Sequence, residues 1–289
     1  MSTEVEHKED TFESFDQLRL FNQSWKPRDP KAVLIIVHGL KDHSGRYANV
    51  AEELTSHGFA VHALDLRGHG KSEGDRAFVN SFDDYLRDVQ LFYDQVQRLE
   101  PGKPIFLFGH SMGGAIALLH SLAQPSAFGG LILSAPALKV PSDVPSLLIW
   151  FTKGIGGIAP KRPVLKLENS LFTRDTDFLA AMNSDPLIYN KPHPARTAAE
   201  LLRAIDRIQK TMSSLALPVM IMHGTADKIT NPDGSRQLNE SASSKDKTLR
   251  LYEGHYHDLL HDLGNSHVSE DLLQWLDAHS FVSRGSGGS

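Results

Sequence analysis

The chain has 289 residues, no cysteine, 40% hydrophobic content and a formal net charge of −5. Zero cysteines exclude disulfides, thiol catalysis and thiol-based regulation, and an acidic balance without any Lys/Arg run argues against nucleic acid as a partner. The length suits a single enzyme core with an inserted segment, and the charged first ten residues lack an apolar stretch, so no secretory signal and a cytoplasmic location are expected.

Taken in order, apolar runs alternate with helical patterns. Ala32–Val37 reads as a strand, Tyr47–His57 as a helix, Phe59–Leu64 as a strand and Phe82–Leu99 as a helix. Ile105–Phe108, Met112–Ala123 and Gly130–Ser134 continue the series as strand, helix and strand. Such alternation predicts an α/β architecture with a mostly parallel central sheet flanked by helices. From about Leu138 to Lys210 the strand signals vanish, which predicts a mainly helical inserted cap. Alternation resumes at Leu217 and ends with a helix over Val268–His279. The expected division is a core of residues 1–137 and 211–282, a cap of 138–210, and a flexible linker or expression remnant at 283–289.

Within that order Gly109-His110-Ser111-Met112-Gly113 falls between a buried strand and a helix. This is the setting of a nucleophile elbow, a strained turn that pushes a serine Oγ out above the sheet edge. Ser111 is therefore the candidate nucleophile. A serine hydroxyl needs a base oriented by a third group. Asp227, at the tip of the loop after the strand Leu217–Met222, is the candidate orienter, with Asp233 and Asp258 as alternatives. His257, in the loop after Thr248–Tyr252, is the candidate base, with His255 and His261 as competitors. The order Ser, Asp, His is that of α/β-hydrolases. An oxyanion hole is expected from the backbone N–H groups of Met112 and of Leu40, the latter following the strand Ala32–Val37 and the pair His38-Gly39. His38 itself is expected to be satisfied by loop backbone. The spacing His255-x-His257-x-x-x-His261 resembles a metal-ligand pattern but lacks a committed helix or cysteine partners, so no metal is assigned and no cofactor is implied.

Several segments together resemble the monoacylglycerol lipases and the related lysophospholipase-like serine hydrolases. They are His38-Gly39 through Asp42-His43-Ser44-Gly45-Arg46-Tyr47, Asp65-Leu66-Arg67-Gly68-His69-Gly70-Lys71-Ser72-Glu73-Gly74, Gly109–Gly114, Asn183-Ser184-Asp185-Pro186-Leu187, His223-Gly224-Thr225-Ala226-Asp227 and Asp246–Gly254. The resemblance places Ser111, Asp227 and His257 on the family triad and Leu40 and Met112 on its oxyanion hole. It also implies that Asp42 and Arg46 help form the polar end of the pocket, where the glycerol group sits; a loop ion pair is the alternative role for these two. Asp42 is one methylene shorter than the glutamate of mammalian relatives. Met182 stands where they carry a tyrosine, which makes that end less polar.

The stretch Val144–Pro160 is apolar but too short and too broken by glycine to cross a bilayer. Its side chains, Leu148 and Ile149 among them, are expected either to line an acyl-chain tunnel with a transient membrane-surface contact, or to form an ordinary cap core. The expected activity is hydrolysis of carboxylic esters of single acyl chains, most of all monoacylglycerol, through an acyl-enzyme on Ser111. The expected partner is a lipid ester substrate, with no protein partner implied. A broader carboxylesterase or lysophospholipase, an acyltransferase, and a non-catalytic receptor on the same fold are the alternatives.

Overall fold

A computed structural model describes residues 5–140 and 146–280; the side chains of residues 146–151 lie outside the described residues. The chain opens with β1 (Glu6–Glu13), β2 (Arg19–Lys26), β3 (Ala32–Val37), α1 (Ala48–Ser56), β4 (Phe59–Leu64) and α2 (Phe82–Leu99). It continues through β5 (Ile105–His110), α3 (Met112–Ala123) and β6 (Gly130–Ser134). The inserted segment contributes α4 (Ser146–Ile158), β7 (Pro163–Leu165), α5 (Thr176–Ser184), β8 (His193–Pro194) and α6 (Ala195–Thr211). The chain then completes the core with β9 (Val219–Gly224), α7 (Pro232–Ser241), β10 (Lys247–Tyr252) and α8 (Ser266–Ser280).

Eight strands form one sheet in the order β1-β2-β4-β3-β5-β6-β9-β10. The hairpin β1–β2 and the pair β2–β4 are antiparallel, and the rest of the sheet is parallel. Parallel strands are buried on both faces, which is why β3, β4, β5, β6 and β9 carry no exposed residue. Alternation along β3 splits the core in two. Val33, Ile35 and Val37 face one apolar cluster with α2 and α3, while Ala32, Leu34 and Ile36 face another with α1 and α8. α2 starts at a capping box, with Ser81 accepting from the Asp83 N–H and Asp84 accepting from the Ser81 N–H.

Several details differ from expectation. The sequence reading has no β1–β2 hairpin, and the predicted helix from Tyr47 begins with a 3-10 turn over Ser44–Tyr47. The inserted segment also holds a short antiparallel pair, β7 with β8. The boundary expected at residue 210 falls in the last turn of α6, a helix shared by both parts: it packs on α4, yet its Ala204 and Ile208 belong to the core cluster with α3. Residues 283–289 lie outside the described residues. Among the described residues no helix is long and apolar enough to cross a membrane.

Candidate active site

The sheet presents its candidate chemistry at the C-terminal ends of β3, β5, β9 and β10, where loops from separate strands converge. β5 runs directly into Ser111, whose φ of 56° and ψ of −119° are strained for a residue with a side chain. Surrounding bonds hold that conformation: the Ser111 N–H donates to the Ser134 carbonyl at 3.0 Å, and its own carbonyl accepts from Gly114 and Ala137. Gly113 is required here, because a Cβ would lie 2.2 Å from the Val37 carbonyl oxygen at the end of β3. The same closeness brings the loop after β3 against the elbow, so that a Cβ on Gly39 would stand 3.0 Å from that of Ser111. The N–H groups of Leu40 and Met112, the two expected oxyanion donors, make no hydrogen bond among the described residues. Both are free to donate to a ligand.

His257 is fully buried, and its Nδ1 lies 2.7 Å from Asp227 Oδ2. A carboxylate at that distance fixes the proton on Nδ1 and leaves Nε2 as the basic nitrogen. Nε2 has no hydrogen-bond partner, and the ring stands 4.8 Å from that of His110, the neighbour of Ser111 in the chain. Phe172, from the inserted segment, meets the same imidazole edge-on at 5.3 Å. Asp227 Oδ1 accepts the Ile229 and Thr230 N–H groups, and its Oδ2 also faces His223 Nε2 at 3.1 Å and the Thr230 hydroxyl at 2.8 Å. Burial alone would push the Asp227 carboxyl up; the charge of His257 and the hydrogen bonds from His223 and His257 outweigh it and hold the group well below the ordinary range. Burial, helped by the charge of His257, lowers His110 to about 4, so that ring is neutral at physiological pH.

The competing residues go elsewhere. His255 Nδ1 lies 3.8 Å from Asp262, and His261 Nδ1 lies 2.9 Å from Asp258. The three histidines of the metal-like spacing thus address three different carboxylates. Among the described residues no group of three or more His, Cys, Asp or Glu is placed to hold a metal ion. Asp233 is exposed and pairs with Arg236. His38 is satisfied by backbone, with Nδ1 2.7 Å from the Gly39 carbonyl and Nε2 accepting the Leu66 N–H at 3.0 Å.

Asp42 and Arg46 do meet, at 2.9 Å, but in a buried network rather than at an open wall. Arg46 also reaches Asp258 at 2.5 Å, and Asp42 accepts the Tyr47 hydroxyl at 3.1 Å. Met182 is buried with Phe172 and Ile188, and with Arg46, Phe178 and Asp185 it lines a cavity of 220 Å³. Leu148 and Ile149 fall on α4, where side chains lie outside the described residues. Burial opposes ionisation of Asp42, yet the charge of Arg46 lowers it to about 2 from an ordinary 3.8. Its stabilisation is therefore complete above about pH 4 and is lost as pH falls towards 2, a difference of roughly 2 kcal/mol. Urea unfolding at pH 5 and pH 2 is expected to show the Asp42→Asn variant losing about that much less than the parent. Equal losses would deny Asp42 its ionised role.

The sequence reading did not single out His223, Thr230, Phe172 or Lys41. His223 was within reach, since it stands at the end of β9 four residues before Asp227. Phe172 and Lys41 come to the site through contacts between the inserted segment and the rest of the chain.

Residues 28–264 match the family described as serine aminopeptidase, S33. The monoglyceride lipase of Homo sapiens is 37% identical over 262 residues, which are 89% of this chain and 86% of that protein. The caffeoylshikimate esterase of Arabidopsis thaliana is 35% identical over 273 residues, 90% of this chain and 82% of that one. Among solved structures, the monoacylglycerol lipase of Paleococcus ferrophilus has a TM-score of 0.80 at 29% identity, covering 96% of this chain and 99% of its own. A strained serine between strand and helix, a buried His–Asp pair beside it and relatives matched over nearly their whole length lead to one assignment: the chain belongs to the monoacylglycerol lipase family of α/β-hydrolases and is a carboxylic ester hydrolase.

Proposed function

We propose that the protein cleaves esters of single acyl chains, monoacylglycerols foremost, through an acyl-enzyme on Ser111. The observation that carries this reading is the buried His257–Asp227 pair, whose Nε2 has no partner and whose ring stands 4.8 Å from that of His110 in the elbow. His257 Nε2 takes the Ser111 proton as Oγ bonds to the ester carbonyl carbon, and the N–H groups of Leu40 and Met112 hold the oxyanion. The tetrahedral species collapses, the C–O bond to the alcohol breaks, and His257 returns its proton to the leaving oxygen. Water then repeats the sequence and releases the fatty acid.

In this reading one acyl chain occupies a tunnel under the inserted segment, and di- and triacylglycerols carry further chains that a single tunnel would not take. A panel of mono-, di- and triacylglycerols, lysophospholipids and simple esters tests this. Monoesters are expected to win, with kcat/KM rising several-fold per two carbons, each buried methylene contributing up to about 0.8 kcal/mol, until the tunnel is full. Triacylglycerols turned over as fast as monoacylglycerols at equal interface would sink the tunnel. Contact with a lipid surface would run through the cap, where Ile158 at the end of α4 is 87% exposed.

A wider alcohol range is the second reading. Arg46 is already engaged by two carboxylates and Met182 offers no polar group, so the glycerol moiety finds few unengaged partners at that end. Glycerol is then preferred only modestly over a simple alkyl or nitrophenyl leaving group, and the same panel reads that ratio.

A further inference from the structure

Lys41 is an unusual residue in an unusual place. It follows Leu40, the expected oxyanion donor, and has a φ of +62°, a left-handed conformation disfavoured for a side chain of its length. It is nevertheless 3% exposed. Its ammonium is held by oxygens from two segments of the cap: the Leu167 carbonyl at 3.2 Å, Asn169 Oδ1 at 2.5 Å and Asn190 Oδ1 at 3.1 Å. Its carbonyl accepts the Tyr189 N–H at 3.3 Å. The ammonium also lies 5.6 Å from the centre of the Phe172 ring, the ring that meets the His257 imidazole edge-on. A strained backbone and a buried cation each persist only where the surroundings fix them. Here the same residue carries both, at the junction between oxyanion loop and cap.

We infer that Lys41 is a positioning residue for the oxyanion hole: by tying the loop after β3 to Leu167, Asn169 and Asn190, it fixes the Leu40 N–H, so that transition-state stabilisation depends on where the cap sits. This deepens the proposed hydrolysis and rests on it. Burial lowers the Lys41 ammonium to about 8, which leaves it charged at neutral pH and able to donate all three bonds. The ammonium does not act on substrate. It acts through the backbone next to it, and its loss leaves the triad residues in place.

The test uses p-nitrophenyl acetate, whose acyl chain is too short to engage the tunnel, so the cap's role in binding drops out. Lys41→Met is expected to lower kcat by about 10- to 100-fold with KM within about two-fold, part of the loss seen on removing an oxyanion donor outright. Affinity for an aryl trifluoromethyl ketone, which forms an oxyanion on the serine, falls by the same factor. The double variant Asn169→Ala/Asn190→Ala, which leaves the oxyanion loop untouched, reproduces most of the loss. Combining it with Lys41→Met adds little, the sign of a shared interaction. Lys41→Gly relieves the φ strain while removing the ammonium, and it gives the same kinetics if the methionine variant does not fold. Unchanged kcat, a loss confined to KM, or additive effects of the cap and loop variants overturn the inference. Full hydrolysis by Ser111→Ala would instead remove the reading beneath it, so the two failures are distinguishable.

Discussion

Ser111→Ala is expected to lower kcat by about 10⁴-fold or more and to abolish labelling by a fluorophosphonate. In the proposed mechanism the size of the effect follows from the loss of the acyl-enzyme route. Folding should be spared. The bonds that hold the elbow run through the Ser111 backbone to Ser134, Gly114 and Ala137, and alanine keeps all of them. Thermal unfolding of the variant should therefore match the parent within about 2 °C, the shift that about 1 kcal/mol produces in a domain of this size. Labelling retained by the variant would move the nucleophile elsewhere.

The second large effect concerns the base. His257→Ala is expected to lower kcat on a nitrophenyl ester by about 10⁴-fold, since Ser111 loses its proton acceptor and the leaving alcohol its donor. His255→Ala should stay within about three-fold of the parent. His255 addresses Asp262 and not Asp227, although it stands two residues from His257. Asp227 stays ionised in the parent across the assay range, because its carboxyl is held well below the ordinary carboxylate range. The reverse ranking of the two alanine variants would hand the role to His255.

The sequence made the elbow legible because three independent signals coincide there: an apolar run, a G-x-S-x-G pentapeptide and a helical pattern. The same holds for the parallel strands, whose continuous apolar runs come from burial on both faces. β1 was not legible. Its residues, Glu-His-Lys-Glu-Asp-Thr-Phe-Glu, are almost all exposed on an edge strand, so no alternation marks them. β7 and β8 are three and two residues long and contain proline, which gives periodicity nothing to register. Asp42 and Arg46 are legible through the family resemblance, with a loop ion pair as the alternative, whereas Asp258, which shares Arg46, lies 212 residues away. Lys41 shows the limit most clearly. In the sequence it is one more polar residue of a loop, and its meaning comes from partners 126 to 149 residues later.

Covalent catalysis by Ser111 is tested most directly by catching the intermediate. The protein is mixed with a medium-chain nitrophenyl ester, quenched in acid during turnover, digested and mapped by mass spectrometry. The expected result is one acyl group on the peptide carrying Ser111, formed within the burst of nitrophenol and absent from Ser111→Ala. An acyl group on another residue, or turnover in which a mutant lacking the Ser111 hydroxyl still acquires one, would contradict the account.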